Sequence, residues 1–141
     1  MNDMEILSKI SLFALIKKRD LRRIAKLAHH HSFKRGDLII REGESNSRLF
    51  VIISGEVEVI KRLGSQNEKS LNILRSNNYL GEMALLDNYV RTASVVARED
   101  TEALTLDQWN IREEIKKNPM IAIELLQTLS RRLRKAEEHL S

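Results

Sequence analysis

Between Gly81 and Ala93 the chain reads Gly81-Glu82-Met83-Ala84-Leu85-Leu86-Asp87-Asn88-Tyr89-Val90-Arg91-Thr92-Ala93, and three residues of this stretch can do chemistry. Arg91 carries a fixed fork of N–H donors that matches the oxygens of a phosphate. Glu82 carries a carboxylate that accepts from hydroxyl groups such as those of a sugar. Gly81 has no Cβ and lets another group approach the backbone closely. Glu82 to Leu86 can wind into a short helical turn, whose leading N–H groups lack partners within the helix and favour an anion. A phosphate site beside a sugar acceptor describes a nucleotide pocket. The same two side chains also read as an ion pair, Glu82 with Arg91, across a loop.

Elements on either side must position this stretch. From Asp20 to Ala28 the apolar Leu21, Ile24, Ala25, Leu27 and Ala28 recur at helical spacing, with Asp20 placed to cap the helix. A helical turn is expected around Ile10 to Leu15. After His31 the texture becomes that of strands: Leu38-Ile39-Ile40 after the Gly36-Asp37 turn, Leu49 to Ile53 as a buried run, and Val57, Val59 and Lys61 alternating with Glu56, Glu58 and Ile60. Leu71, Ile73 and Leu74 make a further strand, as do Thr92 to Ala97 and Ala103 to Leu106. Short strands between frequent turns predict a jelly roll or barrel. From Asp107 the pattern is helical again. Asn118 is placed as a cap and Pro119 in the first turn of a last helix reaching about His139. On it Ala122, Leu126, Leu129, Leu133, Ala136 and Leu140 follow steps of four and three. Such a stripe serves a coiled-coil seam and a helix lying on its own core equally well. The predicted class is therefore α+β: a double-stranded β-roll, jelly-roll-like, flanked by N-terminal helices and a long C-terminal helix. The chain reads as one domain over 1–141, with N-terminal helices in 1–30, the roll in 31–106 and C-terminal helices in 107–141.

Composition narrows the function. The chain has 141 residues and no cysteine, which excludes disulfides and thiolate metal sites. No stretch approaches the ~20 apolar residues of a membrane span, and the N-terminus lacks a basic-then-apolar leader. These features point to a cytoplasmic chain with no membrane partner. Lys and Arg number 24 against 20 Asp and Glu, a net charge of +4, which favours an anionic ligand or simply keeps the domain in solution. Aromatic residues are only 4% of the chain, too few for a single-stranded nucleic-acid platform. His29-His30-His31 would point in different directions on a helix or strand and make a poor metal shell. Arg131, Arg132, Arg134 and Lys135 form a basic patch of the kind usually solvated. No nucleophile–base pair, phosphate loop or dinucleotide fingerprint is present, so catalysis is not expected.

The pattern Gly81-Glu82-x-Ala84-Leu85-Leu86-x4-Arg91-x-Ala93 resembles the phosphate-binding cassette of cyclic-nucleotide-binding domains. That family includes catabolite activator proteins, regulatory subunits of cAMP-dependent kinases and cyclic-nucleotide-gated channels. The resemblance covers nearly the whole chain. Ile10-Ser11-Leu12-Phe13 resembles the family's opening helical segment. Glu42-Gly43-Glu44 and Leu49 to Val57 resemble its early strands, and Asn118-Pro119 with Leu129 to Leu133 its closing helices.

The resemblance implies a ligand, cAMP or cGMP, and no other cofactor. It implies that Glu82 accepts from the ribose 2′-hydroxyl and that Arg91 pairs with the cyclic phosphate. Gly81, Met83 and Ala84 would supply backbone contacts, with Thr92 and Ala93 opposite them. Val59 and Leu71 match positions lining the purine pocket, and each reads equally well as ordinary core. The family signals through movement of its last helix, here about Pro119 to His139. The expected partners are the nucleotide, a second copy through that helix, or a downstream protein. Family regulators read DNA with a helix-turn-helix beyond this point, so no DNA contact is expected of this chain alone. Some positions depart from the pattern. Asn77-Asn78 stands where the family usually has Gly-Asp, and Asn tolerates the left-handed conformation such a turn needs. Ala136 and Glu137 stand where catabolite activators place small hydroxyl residues against adenine. Thr92 is the type that members preferring cGMP often use.

Overall fold

A computed structural model describes residues 2–87 and 90–140, and of Ala84 the backbone alone. Asn88 and Tyr89 of the cassette lie outside the described residues. Two compact units are formed, one from residues 28–108 and one from residues 1–27 with 109–141.

The unit 28–108 is a roll of two antiparallel four-stranded sheets. The strands are β1 (His29–Phe33), β2 (Leu38–Ile40), β3 (Arg48–Ser54), β4 (Glu56–Lys61), β5 (Lys69–Arg75), β6 (Tyr79–Leu80), β7 (Ser94–Ala97) and β8 (Thr101–Asp107). One sheet runs in the order β1-β8-β3-β6 and the other β2-β7-β4-β5. Every second residue of a strand faces the same side, and this alternation builds the core. Phe50 and Ile52 from β3 cluster with Ile40, Val57, Leu74 and Val95 from the other sheet, and Phe33, Ile39, Val59 and Leu80 pack against the cluster. Leu49 and Val51, on the opposite face of β3, are buried too. That is why the sequence there is a continuous apolar run rather than an alternating one. Each such side chain contributes about 1.5–3 kcal/mol through its burial.

Several expected boundaries move. β1 takes in all three histidines, because His29 to Phe33 pair with Thr105 to Thr101 of β8. β7 starts at Ser94 rather than Thr92. Upstream of it, Arg91 exchanges backbone hydrogen bonds with the Gly43-Glu44 turn: Gly43 N–H donates to Arg91 O at 2.8 Å and Arg91 N–H to Glu44 O at 3.0 Å. The two-residue strand β6 is not anticipated by any alternation. It forms by pairing Tyr79 and Leu80 with Val51 and Phe50.

The helical unit contains α1 (Asp3–Ser8), a 3-10 turn (Ser11–Phe13), α2 (Lys18–Ala25) and the long α5 (Met120–Leu140). Most of α4 (Gln108–Lys117) belongs to it as well. Asp20 does not cap α2. The N-cap is Lys17, without a side-chain bond, and Asp20 lies in the first turn. Its buried carboxylate accepts from Asn118 Nδ2 at 3.0 Å and lies 3.7 Å from Arg19 Nε. Asn118 also caps α5 as expected, accepting from Met120 N–H at 3.3 Å. α5 packs on the 3-10 turn, where Arg132 Nη2 donates to Ser11 Oγ at 2.6 Å. Among the described residues no helix is long and apolar enough to cross a membrane.

Candidate functional site

The cassette is positioned from both ends. Upstream, Asn77 adopts φ 73°, the left-handed conformation the turn requires. The turn is tied to β3 by Asn77 N–H donating to Ile52 O and Ile52 N–H to Asn78 O, each at 2.9 Å. β6 then delivers Gly81, φ 86°, as the N-cap of α3 (Glu82–Leu86). Leu85, fully buried, anchors α3. Downstream, the buried Gln108 donates from Nε2 to the carbonyl of Asp87 at 2.8 Å.

Arg91 sits at the centre. It is only 8% exposed. Its Nη2 donates to the Arg48 carbonyl and to Asn46 Oδ1, the latter at 3.2 Å. Its Nε is buried with no hydrogen-bond partner among the described residues. Burial pulls the guanidinium below its ordinary pKa, while the Glu44 and Glu82 carboxylates draw it up again. It remains a cation, because an Arg side chain has protonation to spare at neutral pH. A buried cation with an unanswered donor is a group prepared for an anion.

The anion has room. A cavity of about 490 Å³ is lined by Gly81, Glu82, Met83, Asp87, Val90, Arg91 and Thr92, within the usual size of small-ligand pockets, roughly 300–1,000 Å³. Its apolar wall comes from Met83 and Val90, and its charged groups are Arg91 and the carboxylates Glu82 and Asp87. A ligand carrying both an anion and hydroxyl groups matches this set. Among the described residues no cluster of His, Asp and Glu is arranged to hold a metal ion.

Of the residues singled out from the sequence, Gly81, Glu82, Met83, Arg91 and Thr92 meet at the cavity. Ala84 contributes its backbone to α3. Ala93 is half-buried between Thr92 and β7 and is not part of the lining. Val59 packs against the core of the roll. Leu71 is 48% exposed on the edge strand β5. Neither lines this cavity. Sequence reasoning missed Asn46, Glu44, Asp87 and Gln108. An Asn two residues before a strand is a local turn signal, and Asn46 Oδ1 does accept from Arg48 N–H at 3.1 Å. Its bond to Arg91, 45 residues away, has no local signature.

Comparison with known proteins gives the site its context. The sequence model of the cyclic nucleotide-binding domain matches residues 30–118. The chain is 31% identical over 137 residues to a CRP-like cAMP-activated global transcriptional regulator of Mycobacterium tuberculosis, covering 97% of this chain and 61% of the regulator. It is 36% identical over 104 residues to the cGMP-dependent protein kinase egl-4 of Caenorhabditis briggsae, covering 72% of this chain and 14% of the kinase. The crystal structure of the N-terminal domain of a transcriptional regulator from Streptomyces coelicolor superposes with a TM-score of 0.88 at 26% identity, over 96% of this chain and 95% of that one. The chain thus spans about three fifths of the mycobacterial regulator and a small part of the kinase. With the family model covering residues 30–118 and the roll superposing on the Streptomyces coelicolor regulator domain, the chain belongs to the cyclic nucleotide-binding domain family.

Proposed function

We propose that this chain is a cyclic-nucleotide sensor that works by binding rather than catalysis, taking cAMP or cGMP into the cavity at α3. The observation that carries this reading is Arg91, buried with an Nε unanswered among the described residues, beside a cavity that also holds Glu82. In this reading Arg91 takes the cyclic phosphate and Glu82 the ribose 2′-hydroxyl. Gly81, Met83 and Ala84 give backbone contacts from one side, and Thr92 and Ala93 from the other. Val59 and Leu71, outside the cavity lining, would reach the base only once it is bound. The relatives include both a cAMP-activated regulator and a cGMP-dependent kinase, and overall likeness to the bacterial regulator favours cAMP. Cytoplasmic placement fits the cysteine-free sequence.

Calorimetric titration of the purified chain with cAMP and cGMP tests the reading. Micromolar or tighter binding is expected. Absence of heat, together with no shift in melting temperature, overturns the sensor and leaves an interaction module on the same fold. Glu82→Gln keeps a carbonyl acceptor and loses the charge. The ribose contact should weaken so that cAMP affinity falls about tenfold, on the scale of one charged hydrogen bond. With 2′-deoxy-cAMP, which lacks the hydroxyl, the same substitution should change affinity by less than about twofold.

A second reading follows from the two regulators: the chain is the sensor part of a transcription regulator. On α5, Leu126, Leu133 and Leu140 are 62%, 61% and 87% exposed at heptad spacing. In a parallel pair of α5 helices Arg132 and Glu137 fall on flanking positions that meet across the seam with opposite charge. We propose a homodimer through this helix, whose movement transmits the ligand signal. Leu133→Glu is expected to yield a monomer by sedimentation under conditions where the unaltered chain is a dimer. An unaltered chain that sediments as a monomer at all concentrations overturns the dimer.

A further inference from the structure

Arg91 can meet an anion only if its planar fork is aimed in advance, because reorienting a long side chain on binding costs affinity. The aim comes from one short segment. Nη2 donates to the carbonyl of Arg48 and to Oδ1 of Asn46, the latter at 3.2 Å. The same Oδ1 accepts from the N–H of Arg48 at 3.1 Å. The Asn46 amide is therefore held by the backbone two residues on and does not swing with the guanidinium it touches. The segment is fixed in turn, since Gln108 N–H donates to Ser47 O at 3.1 Å.

We propose that Asn46 is a positioning residue for Arg91, a neutral acceptor that sets the plane of the guanidinium without spending its charge. The inference rests on the reading of Arg91 as the phosphate ligand and names the residue that prepares it. Neutrality matters at this place. Glu44 and Glu82 already act on Arg91 as negative charges. A third carboxylate touching Nη2 would compete with the phosphate for the same cation. An amide orients through a hydrogen bond and leaves the net charge of the pocket to the ligand.

The test is cAMP titration of the wild-type chain, Asn46→Ala, Arg91→Lys, the double variant and Asn46→Asp, each with a melting curve. Asn46→Ala is expected to weaken binding about five- to tenfold, because the guanidinium must then be oriented as the ligand binds. In the Arg91→Lys background it should change affinity less than about twofold, because an ammonium has no plane to orient. Asn46→Asp keeps both acceptor bonds, so it should melt with the wild type yet bind more weakly. An Asn46→Ala chain that binds like wild type overturns the inference. So does an equal loss in both backgrounds, which would make Asn46 a support of the fold in general. Asn46→Asp binding as tightly as wild type overturns the role of neutrality. Should Asn46→Ala fail to fold, Asn46→Asp decides alone: weaker binding at unchanged melting supports the proposal, and unchanged binding sinks it. A wild-type chain that binds neither nucleotide overturns the sensor reading itself and the inference with it, and the wild-type titration separates that failure from the others.

Discussion

Arg91→Ala should lower the affinity for cAMP by about two to four orders of magnitude while leaving the ligand-free fold nearly as stable as before. The first half follows from charge. A cyclic phosphate taken into the cavity loses water, and without a cation it becomes an unpaired buried charge. Removing one partner of such a pair costs about 3–5 kcal/mol, which is about 150- to 5,000-fold in affinity. The second half follows from the ligand-free geometry. Arg91 is 8% exposed, and its Nε has no partner among the described residues. Its burial therefore carries a cost that the Nη2 bonds and the nearby carboxylates only partly offset. Truncation removes that cost and, among the described residues, takes a donor from the Arg48 carbonyl and one from Asn46 Oδ1. Asn46 Oδ1 keeps the Arg48 N–H. The two effects oppose each other, and the net change in stability should stay within about 1 kcal/mol. Thermal melts with and without nucleotide read both at once. At a ligand concentration of about 100 times Kd the wild type gains about 2.7 kcal/mol, and the variant should gain nothing measurable at that concentration. A variant that binds as well as wild type would remove Arg91 from the site. A variant that unfolds would make Arg91 a structural residue instead.

The parts of this molecule that were legible in the sequence are those written in local pattern. The run Leu49 to Ile52 is buried on both faces and reads that way. Asn77 has the positive φ that its residue type allows. Gly81, Glu82 and Arg91 are close in sequence: the β6–α3 junction carries the first two, and Arg91 follows, held by backbone bonds to the Gly43-Glu44 turn. The parts that were not legible depend on distant partners. Asp20 looks like a helix cap because it precedes an apolar stripe, yet its carboxylate is taken by Asn118, 98 residues later. Thr92 looks like the start of a strand, yet the backbone just before it is paired to a turn at Gly43-Glu44, and the ladder of β7 begins only at Ser94. β6 has only two residues and exists through its pairing with β3. Val59 and Leu71 are named by the family resemblance alone; Val59 packs against the core and Leu71 is exposed on the edge strand β5, both outside the cavity lining. Asn46 shows the same limit at the site. Its turn is local and readable, and its hold on Arg91 is long-range and is not.

Gly81→Val should be as damaging to binding as the loss of Arg91, and unlike that change it should also destabilise the fold. The sequence suggests Gly81 as a point of close approach for a ligand. In the folded chain the close approach is made first by the protein's own groups. A Cβ built on Gly81 would lie 2.6 Å from the Arg48 carbonyl oxygen and 2.8 Å from Arg91 Nη2. The guanidinium is the mobile partner of that clash, so it would be the one to leave. It would lose the Arg48 carbonyl and the aim that the cavity requires. The carbonyl belongs to the backbone at the start of β3 and cannot follow. Gly81 also has φ 86°, a left-handed conformation that costs an L-residue roughly 1–2 kcal/mol, more for a β-branched one. Overpacking adds about 1–3 kcal/mol. The expected result is a fall in the urea midpoint together with at least a hundredfold loss of cAMP affinity. Combining the change with Arg91→Ala separates the two causes. If the guanidinium clash carries the binding loss, the double variant binds no worse than Arg91→Ala alone, and part of the lost stability returns, because one of the two clashing groups is gone. Full additivity in both measurements would mean that Gly81 and Arg91 act independently, and the packing of one across the other would then have no bearing on the site.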